Sequence, residues 1–318
     1  MQTLGIDVSK ADFHAALVGE SVAKKSFPNS EKGFSQLDAW LRNRKAGNVF
    51  ACMEATGSYW TALATHLHNG GHTVSVVNPS RIKAFAQSEL LRTKTDAVDA
   101  ELIARFAASQ KPELWQPLPA EITELQGLCR HLEFLKRSRT QYATRAQTPG
   151  LPRKVVKSSE KLIAQLDAQI EELEREIRDH INRHPRLKNK QDLLTSIPGI
   201  GETTAAAILS EMPTIEEFAS VQAVAAYAGL SPRLRQSGSS VRGKPHLCKV
   251  GNSRLRKALY FPAIVAQTHN PTLKIFADRL RKNGKAPMVI IGALMRKLLA
   301  LAYGVLRSRK PYDIALAA

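Results

Sequence analysis

Four acids and a cluster of hydroxyls are the residues whose types and spacing could do chemistry: Asp7, Glu54, Asp96 and Asp99, and Ser237, Ser239 and Ser240. Asp96 and Asp99 are three apart in RTKTDAVDAELIA (residues 92–104), a run that continues as helix, so one turn brings both carboxylates onto one face. Such a pair also suits the solvated start of a helix, where the dipole favours acids and Thr95 could serve as N-cap. Asp7 in LGIDVS and Glu54 in ACMEATG tip the balance. Each ends an apolar run and is followed by small residues, Val8-Ser9 or Ala55-Thr56-Gly57, that leave room for a ligand. The plainer alternative is a strand end pointing to solvent; a buried carboxylate instead needs a partner or a metal. Four acids delivered to one point would form a metal site.

The hydroxyls lie far down the chain. Ser237, Ser239 and Ser240 cluster with Gly238 in a segment holding Arg233, Arg235, Arg242, Lys244, Lys249, Arg254, Arg256 and Lys257. Serine, glycine and lysine loops are usually only flexible. A hydroxyl among guanidiniums is nevertheless what attack on a phosphodiester requires, since arginine offsets the repulsion of the target and stabilises the charge of the pentacoordinate state.

The elements that must position the acids follow from periodicity. Residues 2–8, 12–18 and 21–27 read as consecutive strands with turns at Ser9-Lys10 and Gly19-Glu20. Glu31–Arg44 is helical, with Phe34, Leu37 and Leu41 on one face. Then come a buried strand (Asn48–Met53), a helix (Tyr59–Asn69), a strand (His72–Asn78) and helices over Pro79–Leu90 and Asp96–Ser109. Three antiparallel strands followed by alternating helix and strand is the ribonuclease H arrangement, an α/β layer fold. It would put Asp7 on the central strand, Glu54 at the carboxyl end of the fourth, and the Asp96/Asp99 helix across the same edge.

From Pro117 to Asn189 the character changes. Leu125, Leu128, Leu132 and Leu135 repeat at spacings of 3 and 4, Pro149-Gly150-Leu151-Pro152 breaks the pattern, and Ile163, Leu166, Ile170, Leu173, Ile177 and Ile181 resume it. This predicts a two-helix coiled-coil arm whose narrow seam needs a partner helix. His180 and His184 read as a solvated face of that charged helix. Residues 190–318 follow as a helical domain, giving α/β plus all-α overall, with boundaries at 1–116, 117–189 and 190–318. The Ile197-Pro198-Gly199-Ile200-Gly201 turn between two helices reads as a helix-hairpin-helix, in which Gly199 and Gly201 let backbone N–H groups approach a phosphate; a plain helical turn is the alternative. Helices over Ser253–Gln267, Pro271–Lys282 and Pro287–Arg307 close the domain.

At 318 residues the chain is long enough to bury roughly three quarters of its unfolded surface. Its net charge of +18 points to polyanionic partners. The excess is uneven: +2 over residues 1–110, +2 over 111–185 and +14 over 186–318, with no acid between Glu217 and Asp278. Basic residues interleaved with apolar segments favour a folded nucleic-acid surface. Cys52, Cys129 and Cys248 form no CxxC, so neither a disulfide framework nor a zinc site is indicated. The longest apolar run, Met288–Leu306, is broken by Arg296 and Lys297, and no signal pattern precedes the first strand, so a cytoplasmic, nucleoid-associated protein without a membrane partner is expected.

Taken together, these residues resemble the DEDD transposases of the insertion sequence 110 family, relatives of the Piv DNA invertases and of the bridge-RNA-guided recombinases. The resemblance spans essentially the whole chain. GIDVSK, MEATGSYW and KTDAVDAELIA look like the acids of a RuvC-like domain; IPGIG, YAGLSPR, QSG and KVGNSRLRKALY look like the transposase domain. It implies that Asp7, Glu54, Asp96 and Asp99 hold Mg2+, two ions per site, and that Ser237 of QSG is the nucleophile of a 5'-phosphoserine link to DNA, with Ser239 and Ser240 beside it. It further implies donor and target DNA and a non-coding bridge (guide) RNA as partners, and a homo-oligomer, dimer or tetramer. Where family members commonly carry serine or threonine before the lysine of KxGN, this chain has Cys248. No Walker loop is present, in keeping with strand exchange that conserves phosphodiester energy.

Three functions compete: a serine- and metal-dependent recombinase, a RuvC-like nuclease that hydrolyses branched DNA with metal-activated water, and a non-enzymatic nucleic-acid-binding protein. The first requires Ser237 for joining, the second does not, and the third is indifferent to Asp7 and Asp99.

Overall fold

The computed structural model describes residues 2–55, 57–89, 96–233, 236–237, 241–242 and 246–314, excepting the side chains of residues 96, 97, 236, 237, 241 and 242. Thr95, weighed as an N-cap, lies outside the described residues. The chain divides into two compact units, Met1–Leu118 and Pro119–Ala318.

The first unit is built on a mixed five-stranded sheet of order β3-β2-β1-β4-β5, consistent with a ribonuclease H-like domain. Strands β1 (Thr3–Val8), β2 (Asp12–Val18) and β3 (Val22–Pro28) run antiparallel; β4 (Phe50–Glu54) and β5 (Thr73–Val77) add in parallel. Parallel addition needs crossovers, supplied by α1 (Glu31–Asn43) and α2 (Thr61–Asn69). Ser30 starts α1 by accepting the Gly33 N–H, and the helix buries Phe34, Leu37, Trp40 and Leu41 at helical spacing. These pack with Leu4, Ile6, Phe13, Phe27 and Met53 on one sheet face. The other face meets α3 (Pro79–Ser88) and α4 (Asp96–Gln110), where Cys52 and Val77 pack with Ile82, Leu102, Ile103 and Phe106. Gly5 lies beneath α4: a side chain there would collide with the Ala100 carbonyl oxygen and the Ala104 nitrogen.

The second unit begins with an antiparallel helix pair, α5 (Ala120–Ala146) and α6 (Arg153–Arg183), joined by Lys136–Glu174 at 2.6 Å and Arg139–Asp167 at 2.7 Å. On α6 the seam is half-buried outward (Ile163, Leu166, Ile170, Leu173), on α5 Leu132 and Leu135 are buried, and at the root Ile122, Leu125, Ile177 and Ile181 enter the apolar core of the following helices. His180 is therefore not on a solvated face. Its ring is wholly buried and its Nε2 lies 2.8 Å from the Glu121 carbonyl oxygen.

Helices α7 (Pro185–Thr195) and α8 (Glu202–Glu211) flank the Pro-Gly-Ile-Gly turn, and α9 (Val221–Tyr227) follows. Two short strand pairs then nest along the chain: β6 (Pro232–Arg233) with β9 (His246–Leu247), and inside them β7 (Gln236–Ser237) with β8 (Val241–Arg242). The helix expected over Ser253–Gln267 is two, α10 (Ser253–Ala258) and α11 (Tyr260–His269). Pro262 has no N–H for the Ala258 carbonyl and its ring crowds that oxygen, which ends α10. Helices α12 (Pro271–Lys282) and α13 (Pro287–Ser308) complete the unit. Among the described residues only α13 is long and apolar enough to cross a membrane; here it is the core helix, burying Ile290, Leu294, Leu298, Leu299, Ala302 and Leu306.

Candidate active site

The acids are positioned by register. Gly5 pairs with Cys52 and Ile6 with Met53 across the parallel β1–β4 ladder, so the next residues along the two strands are Asp7 and Glu54. Neighbouring strands lie about 4.8 Å apart, and residues two apart share a face. Asp7 therefore shares the face of Gly5, and Glu54 that of Cys52; both are the faces covered by α4. On α4 the residues that meet the sheet include Ala100, Ile103, Ala104 and Ala107. Asp96 and Asp99 precede them at helical spacing on that stripe, and Asp99 adjoins the Ala100 carbonyl that sits over Gly5.

Asp7, Glu54 and Asp99 are all half-buried. The carboxyl of Asp96 lies outside the described residues, and among the described residues no three His, Cys, Asp or Glu side chains stand close enough to share one ion. The donor chemistry suits a hard cation, because Mg2+ takes one or two carboxylates and keeps several waters. Cys52, on the same face, is buried, and burial pushes its thiol up to about 12 against the opposing charge of Arg81.

His14 was not singled out by sequence. It pairs directly with Asp7 across the antiparallel β1–β2 ladder, which puts both side chains on one face. The hairpin connection is held by Ser9, whose hydroxyl donates to Asp12 Oδ1 at 2.6 Å. Asn29 Nδ2 donates to the Ser9 carbonyl (2.9 Å) and the Tyr59 carbonyl (3.2 Å), tying the turn after Asp7 to the loop after Glu54.

Ser237 lies in the other unit. Its backbone pairs with Val241 in the inner strand pair; its side chain, Ser239, Ser240, Arg235, Lys244 and the side chain of Arg242 lie outside the described residues. Arg233 and Lys249 are exposed, and Lys249 holds the left-handed conformation at φ 59°. Arg254 and Lys257 share Glu133 of α5 at 3.8 and 2.6 Å. Arg256 is committed inward: it donates to the Ala228 carbonyl at 3.1 Å. Gly199, at φ 105°, is needed for packing, since a side chain would come within 2.6 Å of the Ala266 Cβ. Gly201 is exposed, extended and has open space around it, so the α8 N-terminus is approachable there. A groove of about 1020 Å³ runs beside these residues, edged by Arg130, Arg137, Lys249, Arg254 and Lys257, with Phe261 73% exposed.

An acid-edged, ribonuclease H-like sheet and a separate basic helical unit are consistent with a nucleic-acid-processing protein. Residues 4–148 match the transposase family DEDD_Tnp_IS110 and residues 191–278 the "Transposase IS116/IS110/IS902 family". The pilin gene-inverting protein of Moraxella bovis is 35% identical over 98% of this chain and 97% of its own. The transposase for insertion sequence element IS1328 of Yersinia enterocolitica is 26% identical over 95% and 96%, and an IS110 43.6 kDa protein of Streptomyces coelicolor 24% over 99% and 98%. The chain belongs to the IS110 family of transposases.

Proposed function

We propose that this transposase cuts and exchanges DNA strands through Ser237, with Asp7, Glu54, Asp96 and Asp99 holding Mg2+, and that a bridge RNA selects its donor and target DNA. The observation that carries the reading is the register that makes Asp7 and Glu54 neighbours at one sheet edge beneath the Asp99 helix. Bound Mg2+ would supply Lewis-acid stabilisation of charge on phosphate oxygens. The chain's own residues do the rest. The Ser237 oxygen attacks the scissile phosphorus and loses its proton; the bond to the 3'-oxygen breaks, and that oxygen leaves as a hydroxyl. The 5'-phosphoserine ester keeps the phosphodiester's energy, and attack by a second 3'-hydroxyl returns the serine. Acids and serine belong to different compact units, so the working site is composite, assembled within one chain or between subunits of a dimer or tetramer. The basic groove and the open α8 N-terminus suit the sugar-phosphate backbones of DNA and guide RNA.

The test is a DNA-joining assay with covalent protein–DNA adducts resolved by denaturing gel. Ser237→Ala is expected to lose adduct and joining while still binding DNA, and Asp7→Asn to lose both with Ser237 intact. Cutting by Ser237→Ala would establish the hydrolytic nuclease instead. Sequencing RNA that co-purifies with the protein should return one structured non-coding species; random cellular RNA would overturn the guided reading.

A further inference from the structure

Glu211, the last residue of α8, is a buried acid outside the candidate metal edge, and it is only 7% exposed. Three elements converge on it. From α5, Arg130 donates twice, Nε to Oε1 at 2.9 Å and Nη2 to Oε2 at 3.3 Å. From the segment after β9, Asn252 Nδ2 donates to Oε2 at 2.8 Å, while its Oδ1 caps α10 by accepting the Leu255 N–H. From α9, the Tyr227 hydroxyl donates to the Glu211 carbonyl at 3.0 Å. Burial alone would raise this carboxyl, but the hydrogen bonds of Arg130 and Asn252 and the charges of Arg130 and Arg254 outweigh it and hold Glu211 ionised below the usual range.

The chain that Asn252 anchors is the root of the serine hairpin. Asn252 donates to the Tyr227 carbonyl at 2.6 Å, Lys249 to Gly229 at 3.2 Å and Cys248 to Ser231 at 2.9 Å, leading directly into the β6–β9 pair that flanks Ser237. Gly251, at φ 136°, presses on the Tyr227 carbonyl with no room for a side chain, and Lys249 is left-handed beside it. A non-glycine residue holds such a conformation where its surroundings over-determine it.

We propose that Glu211 is a positioning residue for strand cleavage: through Arg130 and Asn252 it locks the root of the Ser237 hairpin to helix α5, so that the arm sets the placement of the nucleophile. The proposal rests on Ser237 being that nucleophile. Breaking the lock misplaces the hydroxyl without removing it, and a displacement of about 1 Å costs on the order of a hundredfold in rate.

The experiment compares wild type, Glu211→Gln and Arg130→Lys in the full chain. The first keeps shape but loses charge; the second keeps charge but loses the two-pronged geometry. Each is read by covalent adduct rate at saturating DNA, DNA affinity and amide hydrogen exchange over residues 246–255. Expected are adduct rates at saturating DNA down about ten- to a hundredfold in both variants, affinity within about twofold in Glu211→Gln, and faster exchange confined to 246–255 in both. An adduct rate per folded molecule equal to wild type in either variant, or exchange that rises throughout the unit, overturns the proposal. If Glu211→Gln does not fold, Arg130→Lys decides by adduct rate at saturating DNA and by the exchange pattern. Should Ser237→Ala still form adduct, the nucleophile assignment fails, whereas the exchange pattern separately reports whether the lock exists.

Discussion

A methyl group at Gly5 has nowhere to go, because the α4 backbone at Ala100 and Ala104 occupies its place. Gly5→Ala should cost about 1–3 kcal/mol or more in urea unfolding of the first unit. At Cys52, a thiol pushed up to about 12 should resist maleimide at pH 8 in the native protein and react once the chain is unfolded in urea. Glu211 gives a pH signature. Its folded-state pKa lies below its unfolded value, so its contribution is complete above about pH 4.3 and fades as pH falls through the lower, folded value. The melting-temperature difference between wild type and Glu211→Gln should stay constant from pH 8 to pH 5 and shrink only in stronger acid. At this scale the placement of Asp7 and Glu54 on adjacent strands was legible in the sequence, since a carboxylate closing an apolar run stands out. His14 was not, because its partnership with Asp7 depends on the count across the three-residue connection Ser9–Ala11. Glu211 was hidden too: it closes an Ala-rich helix, and its partners lie 81 residues before it and 41 after it.

Among the elements, the turn between α7 and α8 separates packing from contact. Gly199→Ala meets both a left-handed backbone and the Ala266 side chain, and should destabilise the second unit by about 2 kcal/mol. Gly201→Ser faces open space and retains an N-cap, so its melting temperature should match wild type, and any loss of nucleic-acid affinity there measures phosphate approach. Helices and long strands were readable from periodicity because each has one apolar face. The nested pairs β6–β9 and β7–β8 were not: two-residue strands rich in Ser, Gly and Arg carry no alternation. The split between α10 and α11 had a signal in Pro262, outweighed in the reading by the continuous apolar pattern around it. His180 misled for the opposite reason, as its charged neighbours concealed the point at which α6 enters the core.

For the whole molecule, the root of the arm is part of the second unit's core. A fragment of residues 119–318 should unfold cooperatively by circular dichroism, whereas 190–318, stripped of Leu125, Ile177 and Ile181, should not. The charge of +14 over residues 186–318 leads to a second expectation: nucleic-acid affinity of the 119–318 fragment should fall steeply with salt, and that of the first unit little.

The seat of α4 on β1 has a last implication. With Gly5 set close against the α4 backbone at Ala100 and Ala104, helix and strand form a keyed joint, so an ion held as proposed would not find the helix sliding to suit a larger or smaller radius. In the proposed metal site, selectivity among cations would then come from carboxylate reach, and exchanging Glu54 for the shorter Asp would be the adjustment this scaffold leaves open.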